Sequence, residues 1–205
     1  MLKKLIASVL CNAMLLSASV VMAQAVVGNA APLFTATDVT GKPISLSEFK
    51  GKFLILEWTN PECPFSGKHY NSGNMPATQK AAIAKGAAWV TIETAAAGVR
   101  DEKARAGLRA WLKSKNASPT AVVVDWDGKI ARAYRATATP HMFVIDPNGI
   151  LIYAGAIDSK PSVNPADIKT ATNYVSQALD EAMSGKAVSH PVSKAYGCAV
   201  EYPPA

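Results

Sequence analysis

A chain of 205 residues, 49% hydrophobic and 18% charged, holds enough apolar material for one ordinary domain and excludes disordered, collagen-like and coiled-coil architectures. Its 21 basic and 15 acidic residues give a formal net charge of +6, but no basic run is interleaved with aromatics, so nucleic-acid binding has no support. Three cysteines (Cys11, Cys63 and Cys198) are too few for a disulfide-stapled miniprotein.

The chain opens with the three-part plan of a secretory signal. Lys3 and Lys4 precede an apolar stretch from Leu5 to Val21, and small residues follow at Ala23 and Ala25. Residues 1–23 are expected to be a signal peptide, cut after Ala23 or Ala25, that carries Cys11 away. The product would be periplasmic or secreted, free of stable membrane association, in a compartment where disulfides are permitted. Residues 26–185 then read as one domain and 186–205 as a tail carrying Cys198.

Along the domain, Phe34 to Leu46 reads as two short strands about the turn Asp38-Val39-Thr40-Gly41-Lys42, an N-terminal hairpin. Phe53 to Trp58 is a nearly continuous apolar run, as a strand buried on both faces requires. Asn60-Pro61 breaks it, and Cys63 opens a helical segment through His69, with further pieces to about Lys85. Ala88–Ile92 is a second central strand, and Asp101–Lys115 an amphipathic helix with Leu108, Trp111 and Leu112 on one side. Ala121–Val124 is a strand and Ile130–Tyr134 a helical piece. His141–Asp146 and Ile150–Gly155 form a hairpin about Pro147-Asn148-Gly149. Pro165 to Ser184 reads as one last long helix, capped by Asn164 and striped by Ile168, Ala171, Val175, Leu179 and Met183. This order makes an α/β fold with a central mixed β-sheet flanked by helices, the thioredoxin-like arrangement.

Cys63 is the strongest candidate for chemistry. It follows a buried strand and precedes Pro64, a residue favoured at the first helical position. Unsatisfied N–H groups and the positive end of the helix dipole there favour thiolate, the nucleophile of disulfide exchange. A carboxyl at Glu57, if buried in so apolar a strand, has a raised pKa. His141 follows Pro140 and can lie near the sulfur, whereas His69 is six residues along the helix and should point away. No G-x-G-x-x-G or P-loop signature calls for an organic cofactor.

Three stretches together resemble the thioredoxin-like AhpC/TSA (redoxin) family. They are Gly41-Lys42-Pro43-Ile44-Ser45-Leu46-Ser47-Glu48-Phe49-Lys50-Gly51-Lys52, Glu57-Trp58-Thr59-Asn60-Pro61-Glu62-Cys63-Pro64-Phe65-Ser66 and Ala138-Thr139-Pro140-His141-Met142-Phe143-Val144-Ile145-Asp146. The resemblance implies an exported thiol-disulfide oxidoreductase or antioxidant protein, acting on protein or small-molecule thiols and disulfides. It places Cys63 as the attacking cysteine, Pro140 as a cis-proline beside it, and Glu57 as a buried acid that moves protons. Two departures stand out. Ser66 replaces the second cysteine of C-x-x-C, and a hydroxyl cannot release a mixed disulfide by exchange. The peroxiredoxin pattern P-x-x-x-T-x-x-C is incomplete, with Leu56 and Asn60 at its proline and threonine positions and Pro140 where its arginine falls; Arg132 or Arg135 would have to substitute. Peroxidase activity is therefore doubtful.

Cys198 offers a replacement thiol. It can resolve Cys63, lock it in a structural disulfide worth ~4–5 kcal/mol across so long a loop, or remain free or pair between molecules. The competing class is a non-catalytic thioredoxin-fold binding module, such as a copper-binding chaperone using Cys63 and His141 with Met142, although copper chaperones of this fold use two close cysteines.

Overall fold

The computed structural model describes residues 24–94 and 102–203. The expected signal peptide, with Cys11, lies outside them. Strands β1 (Thr35–Thr37) and β2 (Pro43–Ser45) form the N-terminal hairpin. Its turn is held by Asp38, whose Oδ1 accepts from the N–H of Thr40 at 2.7 Å and of Lys42 at 2.9 Å, while Gly41 adopts φ 89°. The chain then runs through β3 (Leu54–Trp58), α1 (Pro64–Asn71), α2 (Asn74–Ala84), β4 (Ala88–Thr94), α3 (Glu102–Ser114) and β5 (Ala121–Asp125). It continues through α4 (Lys129–Tyr134), β6 (Ala138–Thr139), β7 (His141–Ile145), β8 (Leu151–Gly155), α5 (Tyr174–Met183) and β9 (Cys198–Ala199).

The central sheet has the order β5-β4-β3-β7-β8. Strands β3, β4 and β5 are parallel, while β7 is antiparallel to β3 and to β8, so the sheet is mixed as the sequence predicts. Both faces are covered, which is why β3 and β7 are apolar at nearly every position. Leu54, Leu56, Trp58 and Phe143 face a core with Phe34 and Tyr134. Ile55, Trp89, Met142 and Val144 face the opposite core with Tyr70, Leu108 and Val175. Trp58 and Phe143 pack edge to face at 5.3 Å between ring centroids.

The last helix departs from the sequence expectation. Residues Pro165–Thr170 form a 3-10 segment, and the chain extends again before α5 begins at Tyr174. Periodicity could not foresee the cause, because it lies in another segment. Residues 157–159 pair with the interruption: Ser159 donates its N–H to Thr172 O and Tyr174 donates its own to Ile157 O. Asn164 caps the 3-10 segment as expected, but a second cap, Asn173, starts α5 by accepting from the N–H of Ser176 at 2.9 Å. The side chain of Asn173 also donates to Thr78 on α2 at 2.9 Å.

The tail beyond α5 has no periodicity, yet it is fastened along its length. Pro191 O accepts from the N–H of Ala154, Ser193 donates to Ala154 O, and Val200 donates to Thr137 O. Strand β9 pairs antiparallel with β6 in the register Ala138↔Ala199 and Thr139↔Cys198.

Replacing Asn173 by alanine removes both its cap and its bond to α2. Urea unfolding should report a loss of about 1–2 kcal/mol with an unchanged m value; an unchanged midpoint would show that the second cap is energetically idle.

Candidate active site

Strand β3 and helix α1 meet at an elbow that Cys63 occupies as the N-cap, with φ −75°, ψ 121° and Pro64 in the first turn. Its N–H donates to Asn60 O at 3.1 Å and its carbonyl accepts from Gly67 at 2.8 Å, which fixes the sulfur over the start of the helix. Cys63 is only 2% exposed. Burial pushes its thiol pKa up, but bonds from the Cys198 thiol, the Thr139 hydroxyl, the Ser66 N–H and the Cys198 N–H outweigh it, and the net value falls below the ordinary thiol range. Ser66, where a second cysteine would stand, is fully buried and accepts from the Thr59 hydroxyl at 3.3 Å.

The bond Thr139-Pro140 is cis. Thr139 closes the site from the other side: its carbonyl accepts from the Cys63 thiol at 3.0 Å. The same residue is the register partner of Cys198, so the tail brings the second sulfur to the first. Both cysteines are free thiols. Burial pushes Cys198 up, and the adjacent Cys63, through a hydrogen bond and its charge, helps to carry it to about 11. The pair is therefore polarised, with Cys63 as the more acidic thiol.

Glu57 is wholly buried on β3, not at a solvent-exposed strand end. Its carboxylate accepts from Tyr70 at 2.6 Å, Trp89 at 2.8 Å, and Gln79 and Thr91 at 3.0 Å each. Burial pushes its pKa up and the four donors pull it partly back, leaving it above the ordinary carboxylate value. No cysteine is among these hydrogen-bond partners. Through Tyr70 and Gln79 the carboxyl instead ties α1 and α2 to the sheet.

His141 sits on β7 with Nδ1 accepting from the Thr137 N–H at 3.2 Å, and burial lowers its pKa to about 4. That nitrogen is therefore committed to the main chain. Among the described residues no three His, Cys, Asp or Glu side chains are grouped as metal ligands would be. The Arg132 guanidinium is engaged elsewhere: it donates to Asp127 O and Pro203 O and lies 5.2 Å from the Tyr202 ring, bracing the tail's far end. Sequence reasoning missed Lys68, Asp158 and Tyr196, and underrated His69, which is fully buried and reaches the tail through Tyr196. The only hint was a lysine and a histidine in a short helix next to the cysteine.

A cleft of about 500 Å³ lies beside the elbow, lined by Trp58, Asn60, Glu62, Glu93, Thr139 and Val200. Burial there, with Glu62 nearby, raises Glu93 to about 7.

A mixed sheet carrying a cysteine at a strand-to-helix elbow, opposed by a cis-proline loop, defines a thioredoxin-fold protein. The chain belongs to the AhpC/TSA family, whose model matches residues 27–154. It is similar in structure to an uncharacterized conserved protein from Geobacillus kaustophilus, with a TM-score of 0.72, 22% identity, and 87% of this chain and 93% of that one covered. A protein assigned as thiol:disulfide interchange protein DsbE in Chlorobium tepidum matches with a TM-score of 0.56 and 25% identity, over 76% of this chain and 96% of that one. The thioredoxin domain of a thiol-disulfide oxidoreductase from Bacteroides vulgatus matches with a TM-score of 0.52 and 19% identity, over 72% and 98%. No curated protein matches the chain. Among the described residues no helix is long and apolar enough to cross a membrane.

Cys198→Ala removes one donor from the Cys63 thiolate while leaving the backbone N–H donors in place. The Cys63 pKa, followed by ultraviolet thiolate absorbance across a pH titration, should rise in this variant; a fall or no change would show that the two thiols do not interact.

Proposed function

We propose that the chain is an exported thiol-disulfide oxidoreductase in which Cys63 attacks and Cys198 resolves. The observation that carries this reading is the seating of Cys198 opposite Thr139, whose carbonyl holds the Cys63 thiol. A thiolate on Cys63 attacks one sulfur of a disulfide, forming a mixed disulfide and releasing the other half as thiolate. Loss of charge on Cys63 then removes one of the influences that hold Cys198 protonated. The Cys198 thiolate attacks the Cys63 sulfur, the substrate's remaining half leaves as thiolate, and a Cys63–Cys198 disulfide results. An external thiol pair returns both residues to the reduced state. Every bond broken is matched by one formed, and the two electrons pass from the cysteine pair to the substrate.

Ser66 cannot resolve the intermediate, and the tail offers the chain's own replacement. Proximity makes that step effectively unimolecular, so it outpaces attack by dilute external thiols. Pro140 contributes by its place in the loop that presents Thr139 to the sulfur. Glu57 supports α1 from below through Tyr70, and its raised carboxyl is able to hold a proton there. A protein or small-molecule disulfide is the substrate class. The family resemblance and the Chlorobium tepidum likeness support this reading, and the basic, apolar and small-residue order of residues 1–25 supports export.

With a small disulfide substrate and a thiol reductant, Cys63→Ser should abolish turnover. Cys198→Ser should instead accumulate a substrate adduct on Cys63, visible by intact mass; undiminished turnover in Cys63→Ser would sink the reading. Expressed in a Gram-negative host, the protein should be recovered from the periplasm with a new N-terminus at Gln24 or Val26, and recovery of an uncut chain from the cytoplasm would refute export.

A further inference from the structure

Tyr196 lies two residues before Cys198 and enters a polar cluster that the reaction above does not use. Its hydroxyl donates to Asp158 Oδ1 and lies 3.1 Å from His69 Nε2. Asn74 donates to His69 Nδ1 at 2.8 Å, which leaves the proton on Nε2, pointing at the phenol oxygen. Lys68 Nζ stands 3.6 Å from Asp158 Oδ2, donates to Lys160 O at 2.9 Å, and lies 5.7 Å from the centre of the Tyr196 ring. Phe65 meets the same ring edge-on at 5.8 Å. Lys68 and His69 have fully buried side chains, and that of Asp158 is 2% exposed with Oδ2 left without a hydrogen-bond partner. Three polar side chains so deeply buried need partners to offset desolvation, and the phenol supplies one to both Asp158 and His69. The phenol is in turn the tail's anchor on the helix that Cys63 begins.

Gly197 joins this anchor to Cys198. Its φ is 139°, and a Cβ there would stand 2.0 Å from Thr139 O, the oxygen that holds Cys63. Only glycine lets the tail pass this close to the cis-proline loop.

We propose that Tyr196 and Gly197 are positioning residues for resolution, Tyr196 latching the tail onto Asp158 and His69 and Gly197 letting it close on Thr139, so that Cys198 is held at Cys63. This rests on the reading of Cys198 as the resolving thiol. The latch acts directly on the second chemical step, and on the first only through the Cys198 donors that lower the Cys63 pKa. Its loss leaves Cys63 in place and less covered, while Cys198 no longer waits beside the mixed disulfide.

The chromogenic disulfide dithiobis(nitrobenzoate) separates the steps. Attack by Cys63 releases one thionitrobenzoate and leaves the other bound to its sulfur; attack by Cys198 then releases the second and forms the internal disulfide. Each protein carries Cys11→Ser so that only Cys63 and Cys198 react. In Tyr196→Phe, which keeps the ring and loses the hydroxyl, the second release should slow about tenfold or more through lost proximity. Gly197→Ala should slow it similarly. Compared at a pH above the Cys63 pKa of each protein, the first release should be as fast as in the parent or faster in both. A second release at the parent rate in Tyr196→Phe overturns the latch; slowing in Gly197→Ala alone leaves only the close-approach role of the glycine. The underlying reading fails separately: if Cys198→Ser still releases both equivalents, Cys198 does not resolve Cys63.

Discussion

The site depends on the main chain of Thr139. Its carbonyl accepts from the Cys63 thiol, and its backbone is the pairing partner of Cys198. Two sulfurs far apart along the chain therefore refer their positions to one residue. Thr139 is itself placed by β7, which pairs with β3 in the register Trp58↔His141. The strand that ends in the Cys63 elbow and the strand that follows the cis-proline are thus neighbours in the sheet. Any shift of that register would carry the loop away from the sulfur and face the wrong side chains to each core.

The chemistry follows from competition between burial and hydrogen bonding. Burying a thiol disfavours its charged form, and the deep position of Cys63 would by itself make it inert. The start of α1, the Thr139 side chain and the tail overcome this with N–H, hydroxyl and thiol donors. The tail both covers the sulfur and supplies part of what stabilises its thiolate. Lys68, His69 and Asp158 give this arrangement a polar foundation. They are tolerated in the interior because each is partnered or paired, and Tyr196 completes the set from the tail.

Much of the fold was legible in local sequence. The apolar run at Leu54–Trp58, the breakers at Asn60-Pro61, the turn Pro147-Asn148-Gly149 and the stripe Val175–Leu179 each carry their own physical signal. Cys63 was legible for the same reason, because a strand, a cysteine and a proline in succession dictate a helix N-terminus. The split of the last helix was not legible: the backbone groups around Thr172 are claimed by residues 157–159. The partners of Glu57 were equally hidden, since they come from four separate positions on α1, α2 and β4.

The opening composition showed three cysteines and no obvious framework for them. The sequence alone determined that Cys63 stands at a helix start and that Ser66 leaves it without an adjacent resolving thiol. Only the tertiary structure decided what became of Cys198. A tail without periodicity carries no local code for its destination. Its place comes from β6 offering an unpaired edge, from Gly197 permitting contact with Thr139, and from a buried cluster of Lys68 and His69 on α1 with Asp158 beyond β8, which the phenol of Tyr196 completes. Those partners lie far from it along the chain, and packing alone unites them.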